Sequence, residues 1–258
     1  MKKKFGQNFL HNIQIIKKII SSANIKKNSN VLEVGPGNGS LTKEIIKKNP
    51  KNYTAIEIDK SLNEKLSLFF KNSKYSIIYE DALKFNEKKL LYDKTILISN
   101  LPYNISIPLL IKWIYQIEEN PWYERMVLMF QKEVAERIIS NENSKKFGRI
   151  SVLASAFFKI KRIADVKKEC FFPIPKIDSS ILIFEPLKIK KINYNEIKIL
   201  EIICQILFSN RRKKLKKKLL SIFTTNKIKQ NNLDIYFNLR VENLNKDIFY
   251  KLVKIYSS

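Results

Sequence analysis

The spacing of apolar positions changes several times along the chain, and each change marks an element. Residues 13–20 repeat isoleucines at helical spacing behind Asn12, whose side chain suits an N-cap, and Asn28-Ser29-Asn30 then makes a turn. Beyond the turn, Val31-Leu32-Glu33-Val34 reads as a short buried strand, Gly35-Pro36-Gly37-Asn38-Gly39 as a tight loop, and 40–48 as the helix that leaves it. Further strands are predicted at 53–58, 75–79 and 95–99, with the clearest intervening helix at 61–70. After Asn100-Leu101-Pro102-Tyr103 the pattern predicts a helix over 107–117, a strand over 126–130 and a helix over 132–139. Strands separated by helices imply a mostly parallel sheet with right-handed crossovers. Two late apolar stretches, 150–158 and 180–184, lack long helices between them and are expected to complete the sheet with an antiparallel edge. From Pro186 onward the pattern is helical and lysine-rich. The expected architecture is therefore an α/β domain over 1–185, its sheet mixed, followed by a small all-helical domain over 186–258.

Composition narrows the classes. With 49 basic and 24 acidic residues the net charge is +25, which favours a polyanionic partner, nucleic acid first. Codon drift toward lysine, asparagine and isoleucine is the bland alternative. It does not explain why residues 186–258 hold 17 basic and 5 acidic side chains while the much longer 1–185 hold 32 and 19. Cys170 and Cys204 are too isolated for a disulfide framework or a metal knuckle, and His11 is the single histidine, so no metal site is expected. No apolar run reaches the ~18 residues of a membrane span, and the basic start is not followed by an apolar signal segment. A cytoplasmic protein that uses no membrane is expected.

The glycine loop is where chemistry first becomes specific. Glycines at 35, 37 and 39 allow backbone to pass close to a ligand, and the helix behind them offers unpaired N–H groups. The loop departs from the dinucleotide fingerprint, because Ser40 stands where the third glycine would fall, and no Gly-Lys-Ser/Thr is present to cradle a triphosphate. Glu57 ends the second strand of this sheet, where such folds place a carboxylate for ribose hydroxyls, and Asp81 follows the third, where it can accept from an adenine amino group. Taken singly, the loop is also a plain turn and either acid a surface residue. Together they read adenosine carrying a small substituent, a description that S-adenosylmethionine fits.

Asn100-Leu101-Pro102-Tyr103 follows the next strand, at the same carboxyl edge. An adenine amine is a poor nucleophile because its lone pair is delocalised into the ring. Accepting its two hydrogens, on the Asn100 side-chain oxygen and the Pro102 carbonyl, would return that lone pair to nitrogen without a titrating base. Pro102 presents its carbonyl on a fixed φ, and Tyr103 offers a ring for an extruded base. The bland reading is an ordinary strand-to-helix turn. In the proline-bounded loop Glu169-Cys170-Phe171-Phe172-Pro173-Ile174-Pro175-Lys176, either phenylalanine can be a second stacking ring or a core plug. Finally, Arg211-Arg212-Lys213-Lys214-Leu215-Lys216-Lys217-Lys218 sets seven cations in eight positions. It is a solvated helix face or an RNA-backbone contact that positions without specifying, and Arg211, Arg212, Lys213, Lys214 and Lys217 are its candidate RNA-binding residues.

In this order the motifs resemble the KsgA family of S-adenosylmethionine-dependent small-subunit ribosomal RNA adenine dimethyltransferases, across nearly the whole chain. The resemblance rests on Phe5-Gly6-Gln7-Asn8-Phe9-Leu10, 32–42, Ile56-Glu57-Ile58-Asp59, Glu80-Asp81-Ala82, 100–106, Gln131-Lys132-Glu133-Val134 and Pro175-Lys176-Ile177-Asp178-Ser179. It implies a Rossmann-like class I methyltransferase fold with a cofactor pocket lined by Asn8, Leu10, Gly35, Glu57, Asp81 and Asn100. It implies that Tyr103 and Phe171 sandwich the target adenine, although Phe172 replaces the small hydroxyl residue frequent in relatives. It further implies a monomer that places two methyls on each of two adjacent adenines in a hairpin near the 3′ end of 16S rRNA, within an immature small subunit. Three alternatives stay open: a large-subunit adenine methyltransferase of the macrolide-resistance type, a DNA adenine methyltransferase, and an rRNA-binding assembly factor with secondary catalysis.

Overall fold

The computed structural model describes residues 7–70, 74–90, 94–117 and 121–258. Phe5 and Gly6 of the first motif, and the basic residues before them, lie outside these. In chain order the elements are β1 (Phe9–Leu10), α1 (Ile13–Ala23), β2 (Asn30–Val34), α2 (Ser40–Ile46), β3 (Asn52–Glu57), α3 (Asn63–Ser67), β4 (Tyr75–Tyr79), β5 (Thr95–Asn100), α4 (Ser106–Tyr115), β6 (Tyr123–Gln131), α5 (Lys132–Ile139), α6 (Arg149–Phe157), β7 (Phe158–Val166), β8 (Phe171–Phe172) and β9 (Ser179–Pro186). They are followed by α7 (Ile197–Phe208), α8 (Lys216–Ile222), α9 (Thr225–Gln230) and α10 (Lys246–Ser257). Among the described residues no helix is long and apolar enough to cross a membrane.

Seven strands form one sheet in the order β4-β3-β2-β5-β6-β9-β7. The pairs from β4 to β6 are parallel, and β6 pairs antiparallel with β9. This is the mixed sheet that the alternation of strands and helices predicts. The chain leaves β2 toward β3 and β4 on one side and returns to β5 and β6 on the other, so the strand order reverses between β2 and β5. At such a reversal the loops at the strands' carboxyl ends diverge and open a crevice. Asn12 caps α1 as expected, its Oδ1 accepting the Ile15 N–H at 3.1 Å, and α1 buries Ile16, Ile19, Ile20 and Ala23.

Two features depart from the sequence reading: an expectation that fails at the late edge, and a pair of elements that it did not contain. Residues 150–157 are not a strand: they belong to α6, with Gly148 ahead of it donating its N–H to Ser151 Oγ at 3.1 Å, and the edge strand is β7, which begins only at Phe158. A short, mostly apolar run carries no usable period when both candidate elements are buried, and Ser151, Val152, Leu153, Ala154, Ala156 and Phe157 are all buried. The second is the pair β1 and β8, an antiparallel ribbon of two residues per strand that sets Leu10 opposite Phe171 and Phe9 opposite Phe172. Two-residue strands leave no alternation to read.

The chain divides into two compact units, 1–135 with 160–186, and 136–159 with 187–258. A division at 185/186 alone leaves 136–159 with the first unit. Those residues join the helices of the second because Phe147 packs edge-on against Phe208 and Phe249, 5.7 and 6.1 Å between centroids, and Tyr250 Oη donates to the Val152 carbonyl at 3.0 Å.

Candidate active site

At the reversal point an open cleft is lined by residues from the ends of β2, β3, β4 and β5 and from the segment around β1. Asn8, Leu10, Gly35, Glu57, Asp81, Asn100, Pro102 and Tyr103, all expected from sequence, line it. Gly35, Glu57, Asp81, Asn100, Pro102 and Tyr103 arrive together because each follows or ends a neighbouring strand of the large sheet, while Asn8 and Leu10 come from the segment around β1.

Packing as well as φ restricts this loop to glycine. Gly35, Gly37 and Gly39 have φ of +72°, +57° and +82°, a region that side chains rarely tolerate. A Cβ on Gly39 would sit 2.5 Å from the Phe69 ring and one on Gly37 2.9 Å from the Phe9 ring. Glu57 is almost fully buried and binds back to this loop: its Oε2 accepts the Gly37 N–H at 3.1 Å, and Oε1 accepts those of Ile58 and Asp59 at 3.0 and 2.9 Å. Burial raises the Glu57 pKa above the usual carboxylate value, against the lowering by these N–H groups. A carboxylate has roughly four acceptor positions, so Glu57 retains room for a ligand hydroxyl. Asp81 commits Oδ1 to the Leu83 N–H at 2.9 Å.

Asn100 is oriented by a partner that sequence alone does not single out. Its Nδ2 donates to the backbone carbonyl of Asn8 at 2.9 Å, so the amide is turned with Oδ1 as the end left to accept. Pro102 is less open than expected, since its carbonyl already accepts the Ile105 N–H at 3.1 Å and keeps one lone pair. The Tyr103 hydroxyl is 2.9 Å from the Ser179 hydroxyl, which is fully buried, and burial pushes the Tyr103 pKa up, keeping the phenol neutral.

One expected site residue is not presented. Phe171 is 1% exposed and belongs to the core beside Leu10, whereas Phe172 is 64% exposed. Successive side chains of a strand point to opposite faces, so when β1 pairs with β8 only one of the two rings can remain outside. In this structure the ring available to a base on that loop is Phe172.

The basic run also divides. Arg211 donates to the Lys145 carbonyl at 3.0 Å and to Glu242 at 3.3 Å, and lies 6.0 Å over the Phe208 ring, so it is a tether within the second unit rather than an open cation. Lys218, buried, donates to the Leu207 carbonyl at 2.6 Å and to that of Ser209, closing the last turn of α7. Lys214 is exposed and reaches Asn238 at 3.2 Å, while Arg212, Lys213 and Lys217 are exposed. The run is not one helical face: α8 begins only at Lys216.

Sequence reasoning missed Glu33. It is 1% exposed, lines the cleft, and accepts from Thr42 Oγ1 at 2.8 Å and from the Tyr53 hydroxyl on Oε2, while Oε1 has no protein partner. Burial pushes its pKa up to about 7, with the Tyr53 and Thr42 hydrogen bonds opposing. The available signal was a charged residue inside an otherwise apolar strand. Among the described residues no cluster of three or more His, Cys, Asp or Glu fit to hold a metal ion occurs.

Comparison with known proteins adds a family. The family model for ribosomal RNA adenine dimethylase matches residues 1–258. A ribosomal RNA small subunit methyltransferase A of Pelagibacter ubique is 45% identical over 255 residues, covering 99% of this chain and 96% of the relative. One from a Wolbachia of Drosophila simulans is 42% identical, covering 86% and 80%. Among solved structures, a dimethyladenosine transferase from Plasmodium falciparum superposes with a TM-score of 0.76 at 27% identity, covering 95% of each chain. The 23S rRNA methyltransferase ErmE superposes with a TM-score of 0.71 at 22% identity, covering 97% of this chain and all of that one, a likeness of fold.

Proposed function

The chain belongs to the ribosomal RNA adenine dimethylase family, and from that premise we propose that it moves methyl groups from S-adenosylmethionine to the exocyclic amines of two adjacent adenines in a hairpin near the 3′ end of 16S rRNA. The substrate in this reading is the maturing small subunit in the cytoplasm, and the enzyme acts as a monomer. S-adenosylmethionine, when bound, supplies an electrophilic methyl on a sulfonium. The residues of the cleft suit it: Glu57 has an acceptor position for ribose hydroxyls, Asp81 for the adenine amine, and the positive-φ glycine loop gives close backbone approach.

The observation that carries the reading is the Asn100 amide turned by the Asn8 carbonyl, in the same cleft as Glu57 and Asp81. Its Oδ1 and the remaining lone pair of the Pro102 carbonyl accept the two hydrogens of a target amine and restore nucleophilic character to its nitrogen. The proton is released after transfer, so no side chain needs to titrate. Holding the acceptors fixed supplies much of the rate, because a near-attack geometry tolerates little displacement. Tyr103 supports one face of the extruded base, and the exposed Phe172 ring is placed on the loop that meets it from the other side. The exposed Arg212, Lys213, Lys214 and Lys217 contact RNA backbone.

Similarity to the large-subunit enzyme ErmE is one of fold, whereas the close sequence relatives carry the small-subunit name. Primer extension on small-subunit rRNA from cells with and without the protein tests the target. A strong stop near the 3′ end that disappears without the protein is expected, and an unchanged stop would overturn the assignment.

A further inference from the structure

Beyond the cleft, the turn that carries Asp81 is fastened from behind. The Asp81 carbonyl accepts the N–H groups of Lys84 and Phe85, both at 2.9 Å, which makes residues 81–85 a compact turn. Lys112 of α4 then seals it: its ammonium donates to the Ala82 carbonyl at 2.6 Å, to the Phe85 carbonyl, and to Glu87 Oε1 at 2.8 Å. All three ammonium hydrogens are used. Glu87 is 2% exposed and is gripped at two more points, by Trp113 of the same helix, Nε1 to Oε1 at 2.7 Å, and by Gln116 at its C-cap, Nε2 to Oε2 at 2.9 Å. Helix α4 is the element that leaves the Asn100-Leu101-Pro102-Tyr103 loop. Four side chains therefore tie the turn that carries Asp81 to the helix that follows the Asn100–Tyr103 loop, and none of them lines the cleft.

We propose that Lys112 and Glu87 are positioning residues for recognition of the donor's adenine, holding Asp81 at the place from which it accepts the 6-amino hydrogen and locking that place to the frame of the catalytic loop. The proposal rests on the assignment of Asp81 to adenine given above. A loop held only by its own turn would let Asp81 retreat from the ring at little cost. Held by Lys112, it distinguishes an amino group, which donates, from a carbonyl oxygen, which does not.

The test compares two probes, S-adenosylhomocysteine and S-inosylhomocysteine, which differ in the 6-substituent of the purine and in the N1–H that accompanies the 6-oxo group, by calorimetry on the full chain. In Lys112→Met the affinity for S-adenosylhomocysteine should fall by about tenfold, the worth of one well-placed hydrogen bond, while that for S-inosylhomocysteine stays nearly constant. Lys112→Arg should recover part of the preference. If Lys112→Met weakens both probes equally, or neither, the pair is only structural and the proposal falls. Should Lys112→Met not fold, Lys112→Arg and Glu87→Gln carry the same comparison, and an undiminished preference in both overturns it. Asp81→Ala separates the two claims. If it keeps the wild-type preference, the assignment of Asp81 fails and this proposal with it; if it loses the preference while Lys112→Met keeps it, only the positioning role is wrong.

Discussion

The cleft and the basic run are both dense in polar side chains, yet they are built in opposite ways. In the cleft, the groups that face a ligand are already committed on their other side: Asn100 to the Asn8 carbonyl, Glu57 to three backbone N–H groups, Tyr103 to Ser179. In the basic run two cations are consumed by the protein itself, Arg211 and Lys218, and the remainder stand in solvent. Selectivity needs groups that cannot turn away, which internal hydrogen bonds provide, whereas attraction to phosphate needs only charge within a Debye length. The difference between a pointing acceptor and a loose cation is thus visible in what each is bonded to.

The largest break in that comparison would come at Asn100. Asn100→Ala should lower kcat by about 10³-fold, roughly 4 kcal/mol of transition-state stabilisation, with RNA affinity nearly unchanged. Single-turnover methylation beside a filter-binding titration checks both halves, and wild-type turnover would remove Asn100 from the chemistry.

A smaller effect should appear in stability against pH, because the cleft hides an acid while the run hides none. Glu33 ionises near its ordinary 4.5 in the unfolded chain and near about 7 when folded. A folded-state pKa raised in this way contributes stability that is complete below the unfolded value and lost as pH rises through the folded one. Urea midpoints should therefore fall between pH 4.5 and 7 and level off above, with a Glu33 share of about 3 kcal/mol that Glu33→Gln flattens. A Glu33→Gln curve as steep as wild type would show that burial does not hold this proton.

Next in size are the two adjacent phenylalanines, which set a core side chain against an exposed one. Phe172→Ala should weaken binding of the target hairpin by about 2 kcal/mol, the worth of one base stack, and leave the melting temperature unchanged. Phe171→Ala should lower the melting temperature first. Reversal of these two outcomes would mean that the β1–β8 ribbon opens when RNA binds.

The smallest effect belongs to the free cations. Replacing Arg212, Lys213 and Lys217 with Ala should flatten the slope of log affinity against log salt by about 2, at ~0.7 for each phosphate that is no longer neutralised. Arg211→Ala should leave the slope alone and lower thermal stability. An equal change of slope from both would erase the distinction between tether and cation.

Order along the chain was enough for the strand-loop-helix unit at the glycines, for the carboxyl-edge positions of Glu57, Asp81 and Asn100, and for the excess of charge after residue 186. These are local properties: turn conformation, period, and side-chain type at a strand's end. Folding in three dimensions decided the rest. Phe171 went inside and Phe172 outside because a two-residue ribbon chose the face, residues 150–157 became a helix because burial erased their period, and Arg211 is not an open cation because Glu242 and a backbone carbonyl lay within its reach. The orientation of the Asn100 amide was equally out of reach of the sequence, since the carbonyl that turns it comes from 92 residues earlier. A sequence specifies which groups a chain carries and what they do alone, but which of their hydrogens and faces remain free depends on partners that only the closed fold brings near.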